Sequence, residues 1–263
     1  MSRTLQVTTI TFLFFGIYYL LDSLWFHDLR AWLNNEIHQI GISHFLAYSL
    51  MGLPIFIGTQ LIQPRWSITQ NLGLNKSFWK GMVFAIIVTL PMFIGFAFAF
   101  EFNHDISINT ILISLISAAL FEELYFRGFL FGQLFRHSKL GFIPAVFLGA
   151  LLFGLIHLYQ SNELGELIGI FLVTFFGAIL FAWVYVEWGF NIWVPIFLHL
   201  FMNFSWELFS VSDNAFGDTY SNIFRLVTIA LTILLTILYK KRKNEKLAVN
   251  TSSIWWKPED NLL

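Results

Sequence analysis

Apolar residues fill eight windows of the chain, at about 7–26, 43–63, 81–100, 107–133, 140–158, 164–186, 191–209 and 222–239. Each is close to the ~20 residues that an α-helix needs to cross a bilayer. The polar stretches between them are all shorter than 20 residues. The pattern predicts an all-α, polytopic membrane protein, about eight transmembrane helices in one bundle over 1–239. A polar, basic tail over 240–263 follows, and it reads as frayed. The stretch SITQNLGLNKSFWKG (67–81) reads as a short interfacial helix leading into the third span. No small-residue cleavage site follows the first window, so it is taken as a span and not as a removable leader.

Two windows are interrupted by polar residues. The fourth carries FEELYFRG (121–128), and the seventh carries Pro195, His199, Asn203 and Glu207. A charge at mid-bilayer costs at least ~2.5 kcal/mol and usually faces the bundle interior. Five of the seven histidines (27, 38, 44, 104 and 137) fall in loops or near span ends, whereas His157 and His199 lie well within windows. With Glu122, Glu123, Arg127 and Asn203 they form the set that needs a reason.

Helical spacing sorts this set. Glu123 and Arg127 are four apart, Glu first, which is the favourable order for a pair on one face. Glu122 is turned ~100° from Glu123 in an α-helix, so it is the carboxylate left over. An unpaired carboxylate in a dry site is the one free to take a proton from water. Phe153 and His157 share a face, as do His199 and Asn203. Brought together, these groups suit hydrolysis. Glu122 and His157 would activate a water, and His199 and Asn203 would donate to a developing oxyanion.

Composition and charge narrow the class further. Of 263 residues 57% are hydrophobic and 12% charged, about half the charged share of a soluble domain. A net charge of −1 gives no reason to expect a nucleic-acid partner, and the absence of cysteine excludes disulfides and thiolate metal sites. With eight spans both termini share one side, and twelve of the 15 Lys and Arg fall there. By the positive-inside rule that side is cytoplasmic. Counting ~1.5 Å per residue from the 134–139 link puts Glu122 and His157 at ~20–27 Å but His199 at only ~12 Å. The seventh span is therefore expected to be tilted, broken or set deeper than its window. Arg225 and the remaining charges near span ends are expected to reach the interface by snorkelling.

The ordered motifs Glu122-Glu123-Leu-Tyr-Phe-Arg127, Phe153-Gly-Leu-Ile-His157 and His199-Leu-Phe-Met-Asn203 resemble those of the CPBP (Abi) family of intramembrane proteases. That family includes the CAAX prenyl endopeptidases and bacteriocin-processing or immunity proteins. The resemblance covers about 107–209, which it implies is the protease-like core. It implies that Glu122 and His157 activate water, His199 and Asn203 stabilise the oxyanion, and Arg127 holds Glu123. The implied partners are the bilayer and a membrane-associated or lipidated peptide or protein substrate. No metal is expected to be obligatory, because the HExxH pair is absent and a glutamate can take the proton itself. If a divalent ion such as zinc were used, Glu122, His157 and His199 would be its ligands.

Each element also has a structural reading. Glu123 with Arg127 can fix helix register, Asn203 can tie helices together, and a lone histidine in a span is often a hydrogen-bond partner. Two other functions use similar residues: a non-catalytic immunity or regulatory protein of the same fold, and a small-molecule or proton-coupled transporter. The transporter reading lacks the repeat symmetry such proteins show.

Overall fold

A computed structural model of the protein describes residues 2–258. In chain order the helices are α1 (Arg3–Ile37), α2 (Ile40–Met51), α3 (Leu53–Ile62), α4 (Ile68–Leu72), α5 (Phe78–Ala99) and α6 (Ile108–His137). They continue as α7 (Phe142–Ile156), α8 (Leu164–Glu187), α9 (Trp193–Leu208) and α10 (Thr219–Arg242). Among the described residues seven spans are long and apolar enough to cross a membrane, with α2 and α3 counted as one. The expected eighth is α9. Its 16 residues make it ~24 Å long at α-helical rise, short of a ~30 Å hydrocarbon layer.

Both termini lie at one end of the bundle. The Lys139 amide donates to Thr4 Oγ1 (3.1 Å), and the Gly141 amide donates to the Trp255 carbonyl (2.9 Å). A shared end requires an even number of passes, so α9 counts as the eighth despite its length.

Local sequence sets the breaks. Serines at 2, 77 and 107 cap α1, α5 and α6 by accepting from backbone amides of the first turn. Capping boxes open α4 (Ser67 with Gln70) and α10 (Asp218 with Ser221). Gly52 and Pro54 divide the second span. Gly52 is also a point of close approach, since a methyl there would collide with the Tyr125 hydroxyl, which donates to the Tyr48 carbonyl (2.8 Å).

Helix α6 departs most from expectation. Over Ile111–Phe131 it is π-wound, with i→i+5 bonding. Such winding is mostly confined to single turns and is frequent at functional sites. More residues per turn means less rise per residue than the α-helix's ~1.5 Å. The depth counted for Glu122 from the sequence is therefore too large. Helix α9 follows a turn at 188–192 in which Asn191 and Ile192 are buried. There Trp193 Nε1 donates to the Leu74 carbonyl (3.0 Å) and Asn191 Nδ2 to the Ser77 carbonyl (3.0 Å). Together these bring His199 level with α6's carboxylates.

The end of the bundle that holds the termini is plugged. Helix α4 buries Asn71 and Leu72 fully and leaves Thr69 and Gln70 exposed. Arg136, near the end of α6, is buried between the Trp66 and Phe190 rings (5.0 and 4.6 Å) and donates to the Asn71 carbonyl. The described part of the tail is docked, not frayed. The Glu187 carboxylate accepts from the Ala248 and Val249 amides (3.0 and 2.8 Å). The amides of Gly141, Phe142 and Ile143, left without partners at the start of α7, donate to the carbonyls of Trp255, Ser253 and Ile254.

Candidate active site

Helices α6, α7 and α9 bring Glu122, Arg127, His157, His199 and Asn203 to the wall of a single cavity of about 980 Å³. Glu123 lies behind this wall, fully buried. Its Oε1 is shared. Arg127 Nη1 faces it at 3.2 Å, without the alignment of a hydrogen bond, and His199 Nδ1 donates to it at 2.9 Å. The pairing with Arg127 follows the i,i+4 spacing. The bond to His199, 76 residues away in sequence, joins the first and third motifs and has no local signature.

Glu122 stands apart from this group. Among the described residues it has no hydrogen bond or ion pair, and its Oε2 is buried without a partner. The π-wound turn still leaves Arg127 within electrostatic reach of both carboxylates, Glu123 the more strongly. An unsatisfied carboxylate atom on a cavity wall is costly unless water or substrate completes it.

His157 terminates α7. Its backbone leaves the helix there, and its Nδ1 lies 2.6 Å from the Phe153 carbonyl. A carbonyl only accepts, so Nδ1 carries the proton and the neutral ring keeps its lone pair on Nε2. The same logic puts a proton on His199 Nδ1, opposite the Glu123 carboxylate. Phe153 does more than pack. Its ring lies 4.5 Å from that of His157 and 4.2 Å from the Arg127 guanidinium, a cation–π contact tying the first motif to the second. Asn203 Nδ2 donates to the Ser114 carbonyl of α6 (3.1 Å), using one of its two amide hydrogens.

Among the described residues no group of three His, Cys, Asp or Glu side chains is placed to hold a metal ion.

At the end opposite the termini the cavity is lined by Tyr159, Gln160 and Asp213. Leu172 and Phe176 of α8 and Leu226 of α10 line it too, and all three are exposed. Sequence reading missed Arg225, which sits on the same cavity wall.

These features define a multi-pass helical membrane protein with ionisable groups on the wall of a cavity in its core, and the sequence comparisons point to a peptidase family. Residues 104–205 match the family described as type II CAAX prenyl endopeptidase Rce1-like. A 93-residue stretch is 36% identical to the Bacillus subtilis (strain 168) protein named "Putative membrane peptidase YdiL". That stretch is 35% of this chain, and the chain spans about a third of the relative's length (34%). No solved structure matches the chain.

Proposed function

We propose that the protein is an intramembrane endopeptidase that hydrolyses a peptide bond of a membrane-associated substrate. The observation that carries this reading is an unpartnered carboxylate, Glu122, sharing one cavity with two imidazoles whose orientations are fixed by hydrogen bonds. The family match over 104–205 supports it.

In this mechanism Glu122 takes a proton from a water that also donates to His157 Nε2. The water oxygen bonds to the scissile carbonyl carbon. The resulting oxyanion accepts from the second amide hydrogen of Asn203 and from His199 Nε2–H. Since His199 Nδ1–H is given to Glu123, donation from Nε2 requires the imidazolium. The Glu123 carboxylate is its counter-charge, and Arg127 keeps that carboxylate in place. The intermediate then collapses, the C–N bond breaks, and Glu122 returns its proton to the leaving amine. Atoms balance with water as the only co-reactant.

A glutamate base needs no metal. Protein freed of divalent ions by a chelator is expected to keep its activity within about twofold; each tenfold loss would correspond to about 1.4 kcal/mol of barrier. Stoichiometric zinc in the purified protein, lost together with activity on chelation or in His157→Ala and His199→Ala, would overturn the metal-free mechanism.

Exposed apolar residues on the α8 and α10 walls of the cavity suit a substrate held in the bilayer, which would enter between these helices without leaving the lipid. With the Lys- and Arg-rich end cytoplasmic, the exposed Tyr159 at the cavity's other end faces away from the cytoplasm. The chain has no cysteine, so Tyr159→Cys gives a single label site there. A membrane-impermeant maleimide is expected to label it in intact cells. Labelling only after permeabilisation would reverse the orientation.

A further inference from the structure

The endopeptidase mechanism leaves one wall of the cavity unused. Helix α2 contributes His44 and Tyr48 to the cavity lining, four residues apart and so on one helical face. Among the described residues His44 Nδ1 is buried without a hydrogen-bond partner. Orphaned N–H groups are rarer in protein interiors than idle acceptors, so the neutral ring carries its proton on Nε2. His44 is thereby a donor to an occupant of the cavity. The Phe26 and Tyr48 rings, each 5.1 Å away, hold the imidazole in place. Tyr48 is itself fixed. Its ring stacks on that of Phe121 (5.5 Å, 12° between planes), the residue before Glu122, and its carbonyl accepts from the Tyr125 hydroxyl. Its own hydroxyl makes no hydrogen bond among the described residues and lies within electrostatic reach of Glu122 and Tyr159. Two uncharged donors thus stand idle on the Glu122 side of the cavity.

We propose that His44 and Tyr48 form a subsite for the backbone of an extended peptide substrate, donating hydrogen bonds to two of its carbonyls, two residues apart. The inference rests on the endopeptidase reading above. A helical substrate keeps its carbonyls for its own amides. A chain drawn out for cleavage frees them away from bulk water, where each needs a donor. The spacing on α2 suits that need. Four residues of helix rise ~6 Å, and carbonyls on one edge of an extended chain recur every two residues, at ~6.6 Å. Tyr48, within reach of Glu122, serves the carbonyl nearer the scissile bond. His44, one turn closer to the start of α2, serves the one two residues further out. Both donors address the main chain, so the subsite selects an extended backbone and not a particular side chain.

The test uses the full-length protein in liposomes. A peptide mixture prepared from proteolysed membranes first identifies a sequence that the wild type cleaves. That sequence is then made with one carbonyl oxygen at a time replaced by sulfur, which weakens the acceptor and keeps the N–H. The scissile carbonyl is left unchanged. On the wild type, sulfur is expected to lower kcat/KM ~5–20-fold at two positions two residues apart, mainly through KM, as for the loss of a single hydrogen bond. Tyr48→Phe is expected to erase the loss at the nearer position and His44→Phe at the further one, each leaving the other loss intact. Every variant is compared with itself on the oxygen and sulfur peptides, so a folding defect cannot mimic this pattern. Equal cleavage of all the peptides by the wild type sinks the inference and leaves the endopeptidase reading standing. So do two losses that persist unchanged in both variants. A Tyr48→Phe protein slowed in kcat alike on every peptide also overturns it and moves the phenol into the chemistry. A wild type that cleaves nothing in the mixture overturns both readings.

Discussion

Glu122→Gln is expected to reduce peptide-bond cleavage by the purified protein ~10²–10⁴-fold, the usual worth of a general acid–base group. Its melting temperature should not fall. Glutamine keeps the size of the side chain and removes only the ability to take the proton. Glu122 makes no hydrogen bond or ion pair among the described residues, and one of its oxygens is buried without a partner, so no hydrogen bond or ion pair is lost. Dissociation of activity from stability is the signature sought. Turnover by Glu122→Gln within tenfold of wild type would remove this carboxylate from the chemistry.

The neighbouring carboxylate is expected to behave in the opposite way. Glu123→Ala should cost about 3–5 kcal/mol of stability, the range for deleting one partner of a buried ion pair. Glu123 is fully buried, and its Oε1 holds both Arg127 at 3.2 Å and His199 at 2.9 Å. Removing it leaves the Arg127 guanidinium in the core without its ion-pair partner, beside the Phe153 and Phe181 rings (4.2 and 5.6 Å) and in weaker electrostatic reach of Glu122. His199 loses its orienting acceptor as well, so activity falls together with stability. The checks are thermal unfolding in detergent and cleavage rate on the same preparation. A Glu123→Ala protein as stable as wild type would show that Arg127 is held by something other than this carboxylate.

The bundle was legible in the sequence because lipid demands long apolar runs, and such runs leave a composition signal at every pass. Helix α9 was the exception. Its window is diluted by Pro195, His199, Asn203 and Glu207, and it is 16 residues long. The mismatch in counted depth between Glu122 and His199 signalled that something in this region was irregular. It could not reveal that two causes contribute, the turn at 188–192 before α9 and the π winding of α6. Winding of that kind has no residue code, since ILISLISAALF reads equally well as an α-helix.

The site was legible as far as spacing could carry it. Glu123 with Arg127, and Phe153 with His157, are four-residue relations that any helix would bring together. The Glu123–His199 bond and the Arg127–Phe153 stacking join separate helices, and a single sequence carries no periodicity for that. Arg225 was read as snorkelling because it lies near a span end. That reading depends on which face of the helix meets lipid, and at Arg225 it is the other face that carries the side chain. The docking of the tail was invisible for a different reason. Its contacts to α7 are backbone carbonyls meeting backbone amides, which leave the side chains of 253–255 unconstrained by pattern.

Proteolysis through Glu122 is tested most directly by a survey of protein termini in cells expressing wild-type or Glu122→Gln protein at matched levels. New termini in membrane-associated proteins, present with wild type and absent with the variant, are the predicted result. Identical termini in the two strains, with the variant still supporting the protein's cellular role, would contradict it and leave a scaffold of the same fold in the enzyme's place.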